Sequence, residues 1–97
     1  MLLADIAEQR GNLRRATELY EEAGEIYGLF GFDLGKAAAL VKLGNVLEKR
    51  GDPEAVASYR QAQSLFESVG RHREAADLQE LIERNQDRNK IITKNAS

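Results

Sequence analysis

Apolar positions recur at gaps of three and four along most of the chain. From Leu13 they fall at Leu13, Ala16, Leu19, Tyr20, Ala23, Ile26, Tyr27 and Phe30, which trace one face of an α-helix. Leu34, Ala37, Leu40, Val41, Leu43, Gly44 and Leu47 do the same, and so do Ala55, Tyr59, Ala62, Leu65, Phe66 and Val69. No stretch sustains a two-residue alternation rich in β-branched residues. Gly11, Gly31, Gly51 and Gly70 sit where these stripes should stop, as expected of residues just past helix C-termini. Asp52 followed by Pro53, the only proline, reads as an N-cap with proline at the first helical position. Asp33 is a similar cap candidate. The pattern predicts five helices, at about 2–10, 13–30, 34–50, 53–69 and 72–86. Their short connections require antiparallel neighbours.

The stripes repeat. LADIAEQRG at Leu3–Gly11 answers to LGNVLEKRG at Leu43–Gly51, an offset of 40. Ala16, Tyr20, Ala23, Tyr27 and Gly31 answer to Ala55, Tyr59, Ala62, Phe66 and Gly70 at 39. Ala75, Leu78 and Leu81 echo Ala37, Leu40 and Leu43 at 38. One unit cannot bury its own apolar face, whereas stacked units can. The small and aromatic residues of the repeat are therefore expected in the core, Tyr59 between the third and fifth helices. Gly24 and Gly28, four apart on the second helix, suggest close helix packing or a bend.

Leu40, Leu43, Gly44 and Leu47, then Ala55 and Tyr59, resemble the tetratricopeptide pattern W-x2-L-G-x2-Y, A-x3-F. The unit is longer than the usual ~34 residues. It is similar to the longer subclass, of about 40 residues, seen in kinesin light chains and bacterial regulators. The resemblance covers residues 2 to about 84. It implies an all-α fold of antiparallel helix-turn-helix repeats, stacked as a short right-handed α-solenoid of about five helices. The expected organisation is a repeat domain over 1–86, with units at 1–33 and 34–70 and a partial capping helix at 71–86. A polar basic tail over 87–97, frayed or disordered, follows.

The ends depart from the pattern. The first helix lacks the part that should match Leu34 to Leu40. Ile82 stands where Gly44 stands one unit earlier, and Asn85 where Leu47 does. Ile91 and Ile92 are candidates for packing on a neighbouring surface.

Composition narrows the function. The 97 residues are 42 % apolar and 31 % charged, with net charge −2 and mean hydropathy −0.50. No cysteine is present, which removes disulfides, thiolate metal sites and thiol nucleophiles. The single histidine, His72, falls in the turn after Gly70. No apolar run approaches the ~18 residues of a membrane span, and no basic-then-apolar leader opens the sequence. A cytoplasmic location is the expectation. Residues 1–83 carry ten basic against fifteen acidic groups, a net of −5, while residues 84–97 carry a net of +3. Nucleic-acid binding would therefore rest on the tail alone.

No constellation for catalysis stands out, and neither metal nor cofactor is expected. Gly24, Gly28, Gly31 and Gly35 do not make a phosphate loop, since no strand precedes them and G-x-x-x-x-G-K-S/T is absent. The expected function is a non-catalytic scaffold for a protein or peptide ligand. By the resemblance, the first helix of each pair lines a concave face. Asn45, after the Leu-Gly pair, would grip a peptide backbone as both donor and acceptor. Its expected neighbours are Val41, Lys42, Glu48 and Lys49, with Asp5, Glu8 and Gln9 on the first helix and Gln79 and Glu83 on the last. The Lys and Arg arrangement of the family's carboxylate-clamp members is absent. No nucleic acid, membrane or small-molecule substrate is expected as partner. The alternative is a structural self-association piece. A homodimer through the uncovered N-terminal end, or membership of a larger array, is expected.

Overall fold

The computed structural model describes residues 1–96, with side-chain environments for residues 1–90. Among these the chain is entirely helical: α1 Leu2–Gln9, α2 Leu13–Leu29, α3 Asp33–Lys49, α4 Ala55–Ser68 and α5 His72–Ala96. Each helix packs on the next in the chain. None of them is long and apolar enough to cross a membrane.

The first four helices end in one way, and Gly51 shows why. A left-handed turn at φ 70° bends the chain so that Gly51 donates to Glu48 O at 3.0 Å and Asp52 donates to Leu47 O at 2.9 Å. This double closure satisfies carbonyls that the helix leaves open and suits a residue without Cβ. Gly11, Gly31 and Gly70 repeat it. The helix starts differ more from expectation. Asn12 caps α2 by accepting from the Arg15 amide at 3.2 Å. Asp33 does not cap α3; it is the first helical residue, after Phe32. The amide of Phe32 closes α2, so the chain re-enters helix at once. The Asp33 carboxylate still lies in the first turn, where the helix dipole favours it. Asp52 accepts from the Glu54 amide at 2.9 Å, but Pro53 and Glu54 form a tighter turn and α4 begins at Ala55.

The C-terminus is the larger difference. The expected helix end at 86 and frayed tail from 87 give way to continuous helix through Ala96. No glycine or proline follows Gly70, so nothing local stops α5. The side chains of Ile91 and Ile92, and Ser97 as a whole, lie outside the described residues.

The core follows the repeated positions. Tyr20, Tyr59, Ile82 and Val46 are the largest fully buried side chains, and Ala16, Ala55 and Ala62 are buried with them. The aromatic core is narrower than the stripes suggest. Tyr27 and Phe66 are only partly buried, and Phe30 is 83 % exposed. Tyr27 instead meets Phe32 edge to face at 5.5 Å.

Close approach makes glycine necessary at Gly44. A Cβ there would sit 2.5 Å from Cε1 of Tyr59. Gly24 and Gly28, by contrast, are not sites of tight packing: a Cβ would meet Ala39 at 3.8 Å and the flexible Lys36 side chain at 3.5 Å. Gly44→Ala should therefore destabilise the protein by about 1–3 kcal/mol through overpacking. Gly28→Ala should stabilise it by about 0.5–1 kcal/mol through helix propensity. Thermal melts read both, at roughly 4–8 °C per kcal/mol for a domain of this size. Equal shifts of one sign would mean that Tyr59 does not press on α3 as described.

Candidate functional site

Tyr20 and Tyr59 carry the same construction one unit apart. Each ring is buried, at 1 % and 0 % exposure. A buried phenol needs a partner for its hydroxyl, and each has two acceptors within reach of its single proton. Tyr20 donates toward Asp5 Oδ1 at 2.5 Å and Glu8 Oε1 at 2.9 Å. Tyr59 donates toward Asn45 Oδ1 at 2.7 Å and Glu48 Oε2 at 3.2 Å. The acceptors are three residues apart and thus neighbours on one helix face.

Cations from the next odd-numbered helix close each group. Lys42 of α3 reaches Asp5 at 3.1 Å and lies 5.9 Å from the centre of the Tyr20 ring. Lys49 reaches Glu8 at 2.5 Å. From α5, Arg84 contacts Glu48 at 2.9 Å, and Asn85 donates to the same carboxylate at 2.8 Å. The result is a polar face across α1, α3 and α5, anchored from beneath by tyrosines of α2 and α4.

These contacts set the charge states. The Tyr20 hydroxyl, then Lys42, holds the Asp5 carboxyl below the ordinary aspartate value. Burial pushes Glu8 up, but Lys49 and Tyr20 outweigh it and the carboxyl lies below the ordinary value. Burial likewise opposes Asn85, Arg84 and Tyr59 at Glu48, with the same net direction. Burial, then the Asp5 and Glu8 acceptors, drives the Tyr20 phenol up. Burial and Glu48 do the same to Tyr59.

Of the ten residues proposed from sequence for this face, Asp5, Glu8, Lys42, Asn45, Glu48 and Lys49 are joined in these two groups. Val41, one turn before Asn45 on the same stripe of α3, is partly buried and packs against the core. Gln9 is exposed and makes no side-chain hydrogen bond among the described residues. Gln79 and Glu83 join neither group by hydrogen bond or ion pair among the described residues. Gln79 accepts from Gln63 of α4 at 2.8 Å and donates to Glu83 at 3.2 Å. The sequence reading missed Arg84 and Asn85, and it gave Tyr20 and Tyr59 only a packing role. The signal was present in Asn85, a polar residue at an apolar register position, which is 4 % exposed. Thr17 was also missed: it donates to Leu13 O and accepts from Arg50, tying α2 to the end of α3. Among the described residues no three His, Cys, Asp or Glu side chains are grouped to hold a metal ion.

The pH dependence of stability follows from the shifts. Asp5, Glu8 and Glu48 bind protons less readily folded than unfolded, so their stabilising contribution is lost as pH falls from about 5 toward 2. The tyrosine protons are held more tightly folded, so that contribution is lost as pH rises above about 10. Urea titrations should show a plateau between these limbs. Tyr20→Phe should flatten the acid limb, because its hydroxyl is the largest hold on Asp5. An acid limb unchanged in that variant would mean that the hydroxyl does not hold Asp5.

Compared with known proteins, the chain matches no protein-family model, no curated protein and no solved structure.

Proposed function

We propose that this chain is a non-catalytic interaction module of the tetratricopeptide kind, whose units stack as a short right-handed solenoid and bind a protein or peptide partner across α1, α3 and α5. The observation that carries the reading is the duplicated tyrosine anchor. Tyr20 and Tyr59, one unit apart, each pin two side chains of an odd-numbered helix. A repeated anchor is what stacked units need, and it presents a row of polar groups already held in place. Preorganised groups lose little freedom on binding.

Asn45 suits the central role. Its carbonyl oxygen is taken by Tyr59, while its amide nitrogen has no protein partner among the described residues and can donate to a peptide carbonyl. Lys42 and Lys49 add cationic groups beside it, each already balanced by an α1 carboxylate. The carboxylates do not resemble general acids. Asp5, Glu8 and Glu48 are all held below their ordinary values, whereas acid-base catalysis near neutral pH favours values raised toward 7.

The immobilised protein, incubated with extract of the source cells, should retain a partner that Asn45→Ala loses at least tenfold. Tyr59 keeps Glu48 as acceptor in that variant, so the fold should survive, and circular dichroism checks it. Capture unchanged in Asn45→Ala and in Lys49→Ala would remove the partner from this face.

A further inference from the structure

Two shallow grooves meet on a side of the molecule lined only by α1, α2 and their immediate surroundings. One contains Leu3, Ile6, Leu19, Arg10 and Arg15. The other contains Leu2, Leu3, Leu19, Ile26 and Glu22. Leu2, Leu3 and Ile26 are 72 %, 68 % and 46 % exposed, a concentration of apolar surface that water disfavours. The internal repeat shows what such a surface is for. Leu43, forty residues after Leu3, is 8 % exposed, buried where α2 packs on α3. Ala62, thirty-nine residues after Ala23, is 0 % exposed, while Ala23 is only partly buried. The first unit thus carries the apolar register of the second without its cover.

We propose that this α1–α2 face binds the same face of a second copy of the chain, about a two-fold axis passing near Leu3 and Leu19. Those two residues line both grooves and so mark the centre. The charges on either side make the face complementary to itself. Arg10 and Arg15 lie on one side and Glu22 on the other, with Arg15 and Glu22 separated by roughly 10 Å along α2. A two-fold rotation reverses that order and sets Arg10 and Arg15 against Glu22 of the partner subunit, twice over. Neither Arg10 nor Glu22 makes an ion pair among the described residues; Arg15 is paired with Glu18 at 3.3 Å, an exposed contact of the kind worth about 0–1 kcal/mol. An isologous contact needs only one surface and closes at two copies.

The proposal is tested by sedimentation velocity across ~1–200 µM, a range suited to micromolar association. The wild type should move from the 10.8 kDa chain mass to twice that mass as concentration rises. Leu3→Glu, at an exposed position, should stay monomeric with unchanged helical content by circular dichroism. Arg10→Glu and Glu22→Arg should each weaken the dimer at least tenfold. An equimolar mixture of those two variants should restore it, because both contacts then join opposite charges. A wild type monomeric throughout, a dimer indifferent to Leu3→Glu, a mixture no tighter than its components, or mass growing beyond two copies would each overturn the proposal. The test is separable from partner binding across α1, α3 and α5: Asn45→Ala should leave the dimer intact, and Leu3→Glu should leave partner capture intact.

Discussion

A buried tyrosine must fill space with its ring and satisfy its hydroxyl at the same time, and most of the architecture follows from meeting both demands twice. The ring of Tyr59 occupies volume that a side chain at Gly44 would need. Its hydroxyl then emerges at the level of Asn45 and Glu48. Tyr20 does the same beneath Asp5 and Glu8. Losing a buried aromatic ring costs about 3–5 kcal/mol, whereas an exposed ion pair contributes about 0–1 kcal/mol. The rings therefore hold the helices, and the Lys42–Asp5 and Arg84–Glu48 pairs set the register between odd-numbered helices that are already in place.

Charge on the polar face is a consequence of that anchoring. A phenol with carboxylate acceptors keeps them ionised, and ionised carboxylates at partly buried sites draw in cations. Lys42, Lys49 and Arg84 supply these from the following helix. The face is thus a set of balanced groups fixed from below.

The two ends are asymmetric for a related reason. On α5 the position equivalent to Gly44 is Ile82. A large residue fits there, and Ile82 is 2 % exposed. Asn85 serves the polar face instead, with its amide on Glu48. At the N-terminal end α1 keeps the apolar register of a stacked unit, yet Leu2 and Leu3 meet solvent.

Much of this was legible in the amino-acid sequence. The three- and four-residue spacing of apolar positions, with glycines at 11, 31, 51 and 70, placed five helices to within a few residues except at the C-terminal end. Those features act locally, through backbone hydrogen bonds and the φ that glycine permits. The buried alanines and Tyr59 could be read as well, because a repeat exposes its core positions by recurrence. Six of the ten residues expected on one face do meet, since helical periodicity sets which side a residue occupies. Other features had no local signature. How far Val41 is covered depends on the rotation of α3 about its axis, which its neighbours set. Gln79 is drawn to Gln63 of α4, and Glu83 to Gln79. That Gly44 is obligatory while Gly24 and Gly28 are not depends on which aromatic ring comes near, a fact of tertiary packing. The hydroxyl partners of Tyr20 and Tyr59 were likewise decided only when separate helices came within hydrogen-bond reach, because periodicity positions residues on one helix and says nothing of the distance to another.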